Sequence, residues 1–361
     1  MNHPHLPLAL LALVACLGGI GLATTVPVAA STAIPADAPA DQGRLLVVNK
    51  GESTLSIVDP RSGDEVARIP TGNAPHEVAV SPDGRLAVVS NYGTREAPGN
   101  TLTLVDLAQL SAVATIDLAE QTRPHGLVWH PDGRRVLVTT EGNGTLTIVD
   151  VPERRVLAAV PTGARVSHEV AITPDGSRAF VANIGSGSVT VVDVASASVV
   201  RSIPTGDGAE GVAVTPDGRE VWVSNRAENT ITVLDAVELD VLATVPSADF
   251  PIRVVFSPDG QLAMVTNARS AELRVFRVAD RQEELVAPIK APVVDEGPQV
   301  LAFEGSAVPI GVLADPDGRH VYVAAASADV VAVVDLEVGE VVRLIPVGRE
   351  PDGLAWAAPT Y

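Results

Sequence analysis

Histidine is sparse in this chain, and its placement is ordered. Of the seven histidines, five lie beyond the N-terminal apolar stretch: His76, His125, His130, His168 and His320. His76, His125 and His168 share one position of an internal repeat, two residues before the first core valine or leucine of a short apolar strand. The remaining units carry Glu210, Ile252, Ile310 and Asp352 at that position. Stacked repeats set equivalent positions on one ring. Closing the ring gives a polar arc in the order Asp352, His76, His125, His168, Glu210, with Ile252 and Ile310 opposite. Imidazoles and carboxylates converging on an axis are a ligand set for a divalent transition metal such as zinc, copper or iron. The three histidines would leave an open coordination position for water or substrate. Glu210 or Asp352 would then serve as a fourth ligand or as a catalytic base. The competing expectation is a duplicated histidine that only lines a wet channel.

The next position is glycine in four units (Gly126, Gly211, Gly311, Gly353) and Glu77, Glu169 or Arg253 in the other three. A side chain that replaces glycine must project somewhere. Glu77, Glu169 and Arg253 are expected either to contact ligand and orient the histidines or, as the favoured arrangement, to pair as a solvated surface ion cluster. His130 precedes Pro-Asp-Gly and reads as a turn residue. His320 falls in a second strand, half exposed. The strand-ending aspartates Asp59, Asp106, Asp150, Asp193, Asp235 and Asp335 recur in nearly every unit and read as turn caps. Trp129, Trp222 and Trp356 read as packing.

The elements that must hold the arc are short strands. Pro-Asp-Gly recurs at Pro82, Pro131, Pro174, Pro216, Pro258 and Pro316, in steps of 42 or 43 residues except for two of 49 and 58. The long steps contain insertions, Thr94 to Gly99 and roughly Arg281 to Gly305. Each unit runs from a short apolar strand through the turn, where proline presets φ and glycine takes the positive φ. A second strand follows, then in most units an Asn-centred loop (Asn91, Asn183, Asn225, Asn267). A third strand ends in aspartate, and a fourth often closes on Ile-Pro-Thr-Gly, as at Ile69 to Gly72. Four short strands per unit make a propeller blade. Arg44 to Gly72 supplies three strands and Pro351 to Trp356 a lone first strand, so the two ends build one blade. With six internal units this predicts an all-β, seven-bladed propeller of four-stranded antiparallel blades over residues 44–361.

Composition narrows the function. The formal charge is −19 and only 3% of residues are aromatic. Nucleic acid is excluded as a partner, because phosphate neutralisation needs basic residues and single strands need stacking platforms. Residues 1–30 read as a signal peptide, with Val28-Ala29-Ala30 before a cleavage at Ser31, followed by a linker over 31–43. The apolar runs are too short for an ordinary membrane span. The mature chain is expected in the periplasm or secreted, without a transmembrane domain and as a monomer. Alternatively, Leu13-Val14-Ala15-Cys16 resembles a lipobox and would anchor a lipoprotein through Cys16. Cys16 is the single cysteine, so the folded part carries no disulfide and no thiol nucleophile.

The phrases Thr215-Pro216-Asp217-Gly218, Ser224-Asn225 and Thr230-Ile231-Thr232-Val233-Leu234-Asp235 resemble the repeat of the YVTN-repeat propellers, including the YncE-like periplasmic proteins. The resemblance covers about residues 44 to 357. It implies an exported binding module that presents its channel mouth to a small molecule, an envelope polymer or a protein partner. Pro124-His125-Gly126 is similar to motifs of streptogramin-lyase-like and gluconolactonase-like propellers. That likeness implies the alternative, a metal-dependent lyase, hydrolase or oxidoreductase built on the histidine arc. A surface-layer component is a third reading. No Gly-x-Ser-x-Gly, phosphate loop or His-Glu-x-x-His is present.

Overall fold

The computed structural model describes residues 43–294 and 301–358. The expected signal peptide, most of the linker and Cys16 lie outside the described residues. No helix of the described residues is long and apolar enough to cross a membrane.

Seven four-stranded antiparallel sheets follow one another as blades. The innermost strands of blades one to six are Pro75–Val80, Pro124–Trp129, Ser167–Ile172, Ala209–Val214, Pro251–Phe256 and Pro309–Ala314. Second and third strands are buried on both faces and read as continuous apolar runs, such as Arg178–Asn183 (RAFVAN) and Ser188–Asp193 (SVTVVD). Fourth strands face water, as Ser198–Pro204 does along most of its length. Cores form between neighbouring blades. Phe180, Val189 and Val191 of the third blade pack with Val212, Val221 and Leu234 of the fourth.

The seventh blade closes the ring. Its innermost strand Pro351–Ala357 pairs with Arg44–Asn49, matching Leu45 to Trp356 and Val47 to Leu354. This removes the open edges that an unclosed sheet stack would expose.

The turn and cap expectations hold in detail. Gly84 N donates to the Ser81 carbonyl at 2.8 Å, and the Ser81 hydroxyl donates to Asp83 at 2.6 Å. All six strand-ending aspartates accept backbone N–H groups of the following turn, from Arg61 on Asp59 at 2.9 Å to Glu337 on Asp335 at 2.8 Å. His130 sits in its turn and accepts the Asp132 N–H at 3.1 Å. His320 begins a second strand, half-buried, with Nδ1 2.8 Å from Asp317. Trp222 is fully buried, and the Trp129 Nε1–H donates to the Ala79 carbonyl at 3.0 Å. One expectation needs correcting. Asn91, Asn183, Asn225 and Asn267 lie within or at the ends of second strands and are buried, not in loops. Asn225 Nδ2, for example, donates to Thr230 and Thr232 of the third strand at 3.1 and 2.9 Å, so the side chain satisfies a buried strand end.

Candidate functional site

The seven arc positions are the second residues of the seven innermost strands. Two backbone devices aim them. The residue just before each innermost strand has positive φ: Ala74 44°, Arg123 56°, Val166 57°, Gly208 76°, Phe250 66°, Val308 51° and Glu350 50°. A β-branched residue such as Val166 or Val308 takes this conformation at a cost, so the surrounding structure must enforce it. Each innermost strand then carries a β-bulge against its partner at the ring position, for example between Pro75 and Val78 and between Ser167 and Glu169. Bulges re-aim side chains. At the first, third and fifth blades successive residues, His76 with Glu77, His168 with Glu169 and Ile252 with Arg253, join one cluster around the channel.

The arc forms as expected. His76 and His125 meet edge to face with centroids 4.8 Å apart, and His125 and His168 lie 3.7 Å apart. Asp352 completes one end, 3.4 Å from Lys50 Nζ, and Glu210 the other, 3.4 Å from His168 Nε2. Ile252 and Ile310 are buried opposite. Together these residues line a cavity of ≈ 610 Å³ at the channel mouth.

Four further residues were not singled out from the sequence. Glu141 Oε1 lies 2.5 Å from His168 Nδ1, and the Tyr92 hydroxyl donates to Glu141 Oε2 at 2.5 Å. Tyr92 stacks on His76 at 4.4 Å. Arg226 donates to Glu210 Oε2 at 2.7 Å, and Lys50 faces Asp352. They occupy one repeat position, directly after Asn49, Asn91, Thr140 and Asn225. Aligning the repeat one residue past its recurrent asparagine finds them, with Ile184, Ala268 and Ala326 filling the rest of this second ring.

Glu77, Glu169 and Arg253 do form an ion cluster, but it is buried rather than solvated. Arg253 Nη2 lies 2.5 Å from Glu77 Oε1 and 3.3 Å from Glu169 Oε2, with all three side chains at most 14% exposed. The glycines between them explain the inward course. A Cβ on Gly126 would stand 2.4 Å from Glu169 Oε1 and 2.7 Å from the His168 carbonyl. One on Gly353 would stand 2.5 Å from Glu77 Oε2. Small and large residues therefore alternate so that long side chains reach the axis over their neighbours' bare backbone.

Protonation divides the histidines. Burial pushes His76 down to about 4, and burial with the neighbouring His168 holds His125 well below its ordinary value. Burial also opposes charge on His168, but hydrogen bonds to Glu141 and Glu210 outweigh it and raise the group to about 9. Glu141 and Glu210 are held below the usual carboxylate range, burial being overcome by their bonds to His168. One guanidinium faces two desolvated carboxylates in the buried cluster. Burial lifts Glu77 to about 8 and moves Glu169 upward too.

Ligand atoms of His125, Glu141 and His168 lie within 4.8 Å of one another, as do those of Glu77, His125 and Glu169. His76 joins neither group among the described residues. Arg253 already occupies the second set. That leaves the first set open to a metal, and His125 Nδ1, common to both sets, is buried without a hydrogen-bond partner.

A family model described as "Lactonase, 7-bladed beta-propeller" matches residues 49–303. No curated relative matches the chain. Among solved structures, the chain resembles a periplasmic gluconolactonase of Pseudomonas aeruginosa, with TM-score 0.70, 20% identity and coverage of 88% of this chain and 99% of that one. It also resembles a functionally unknown protein from Desulfotomaculum acetoxidans, with TM-score 0.73, 16% identity and the same coverage. Hydrazine synthase of Kuenenia stuttgartiensis matches with TM-score 0.65 and 20% identity, over 77% of this chain and 88% of that one. At these identities the likeness is one of fold.

Proposed function

Because the chain belongs to the seven-bladed β-propeller lactonase family, we propose that it is an exported hydrolase of cyclic esters working at the channel mouth. The observation that carries this reading is the division of labour in the histidine arc. His76 Nδ1 lies 3.0 Å from the Ala74 carbonyl, so that nitrogen carries the hydrogen and Nε2 keeps its lone pair. His168 is clamped by carboxylates on both ring nitrogens and stays protonated. Groups of one site whose environments drive their proton affinities apart are the mark of an acid and base pair, and only His125 stands between these two.

The chemistry follows. Water hydrogen-bonded to His76 Nε2 attacks the lactone carbonyl carbon, and its proton passes to that nitrogen. The carbonyl oxygen becomes an oxyanion facing the Lys50 ammonium and the imidazolium of His168. Collapse breaks the ring carbon–oxygen bond, and the leaving alkoxide takes the His168 proton. The hydroxy acid departs, His76 returns its proton to solvent, and His168 is reprotonated between Glu141 and Glu210. The apolar leader at residues 1–30 supports export to the periplasm or beyond.

His125 supports a second reading. A zinc, copper or iron ion on His125, Glu141 and His168 would polarise the same carbonyl as a Lewis acid. His168 must then surrender its proton and one of its carboxylate contacts.

The test is turnover of δ-lactones by purified residues 31–361, followed by pH change, beside His76→Ala and His168→Ala. Ring opening lost in both variants, with unchanged melting curves, supports the reading. No opening of any lactone by the parent protein overturns it and leaves a binding module.

A further inference from the structure

We infer that the channel mouth selects a neutral lactone bearing an apolar substituent, in preference to a polyhydroxylated or anionic one. This deepens the hydrolase reading and rests on it. Two independent features of the cavity carry it.

The first is the charge inventory. Every buried or half-buried cation facing the cavity is already matched by a carboxylate of the protein. Lys50 faces Asp352 at 3.4 Å, Arg226 faces Glu210 at 2.7 Å, Arg253 faces Glu77 at 2.5 Å and His168 faces Glu141 at 2.5 Å. A phosphate or carboxylate reaching the polar arc would have to break one of these pairs and strand a buried anion, since the remaining cation of the lining, Arg95, lies exposed at the rim. A neutral carbonyl makes no such demand.

The second is the opposite wall. Ile252 and Ile310 line the cavity across from the histidines, and Leu301, from the connection between blades five and six, packs over them. Behind them lie Ala268, Val308 and Ala326, all buried. This surface offers no donor or acceptor, so a sugar hydroxyl pressed against it loses its water and gains no partner. The cavity of ≈ 610 Å³ also exceeds what a bare lactone ring fills and is of the size that takes a drug-sized ligand. The ring thus sits at the polar arc, and an aliphatic or aromatic substituent lies along Ile252, Ile310 and Leu301.

The experiment compares kcat/KM for δ-valerolactone, δ-decalactone and glucono-δ-lactone. A buried methylene is worth about fourfold in kcat/KM, so burial of roughly two to three of the five extra carbons makes δ-decalactone exceed δ-valerolactone by one to two orders of magnitude. Ile310→Asn should lower that ratio at least tenfold. Leu301→Ser, in a half-buried position, serves if the first variant melts early. A flat response to chain length, or a preference for glucono-δ-lactone, overturns the inference and leaves the hydrolase reading standing. If no lactone is opened, the hydrolase reading fails. Calorimetric binding of δ-decalactone against glucono-δ-lactone then decides the selectivity alone, and tighter binding of the sugar lactone overturns it.

Discussion

Arg253 reaches across the channel to Glu77, 176 residues earlier in the chain, and holds its carboxylate at 2.5 Å. The contact joins blade five to blade one through the axis, where no backbone hydrogen bond links them. Removing the guanidinium leaves two buried carboxylates uncompensated, which costs roughly 3–5 kcal/mol. Arg253→Met should therefore lose about that much stability at pH 8 and distinctly less at pH 5, where Glu77 is protonated and burial favours the neutral form of Glu169 as well. Urea melts at both pH values measure it, and an equal loss at both would count against the cluster.

The same cluster sets how the intact protein responds to pH. Glu77 is raised by burial from 4.5 to about 8, so its contribution is whole below about 4.5 and is lost as pH rises toward 8. His168 is raised from 6.5 to about 9, so its contribution is whole below 6.5 and is lost as pH climbs to 9. His76 works the other way, losing stability as pH falls from 6.5 toward 4. Only between 6.5 and 8 do the two raised groups act together without that opposition. The melting temperature should fall through this window, and Glu77→Gln, neutral at every pH, should flatten the fall.

Turnover should follow a bell. Activity needs His76 neutral and His168 protonated, so the acid limb lies near 4 and the basic limb near 9. Glu141→Gln removes a charge-assisted hydrogen bond to His168 and should draw the basic limb toward neutrality. His76→Ala should cost on the order of 10²–10⁴ in kcat. A basic limb that stays in place in Glu141→Gln would dissociate His168 from acid catalysis.

Metal content separates the two readings of the arc. Residues 31–361, purified without a histidine tag, should carry less than a tenth equivalent of zinc, copper or iron by mass spectrometry if protons do the work. Near-stoichiometric metal, lost in the combined His76→Ala, His125→Ala, His168→Ala variant, would favour the ion.

Ring closure is testable on its own. Deleting Pro351 to Tyr361 removes the strand paired with Arg44–Asn49, together with Ala355 and Ala357 of the adjoining core. The melting temperature should drop sharply. An unchanged curve would mean that the ring does not depend on this seam.

The arc was legible because a repeat converts sequence register into angular position. Aligning His76, His125 and His168 on the first core valine or leucine placed three side chains from three blades on one wall. Glu141 and Tyr92 carried an equally readable signal, one residue past the position of a recurrent asparagine, which is Thr140 in the blade of Glu141. That signal stayed hidden because the asparagine looked like a loop centre rather than a buried strand end. The burial of Glu77, Glu169 and Arg253 was not legible. It depends on bulges and on bare glycine backbone in the neighbouring blade, and neither leaves a mark on hydrophobic periodicity.

The alternation of long and bare positions has an arithmetic consequence. Seven is odd, so a cycle of large and small residues cannot close without one fault. Around the axis the order runs Glu77, Gly126, Glu169, Gly211, Arg253, Gly311, Gly353, and the fault is the glycine pair at the end. It lies between blade six and the blade that both chain ends share. A Cβ on Gly311 would strike the Asp352 carbonyl, so blade six admits no longer residue. The gap between blades six and seven thus carries no long side chain at this level, and the last strand meets only one, Glu77 of blade one, which lies over the bare backbone of Gly353.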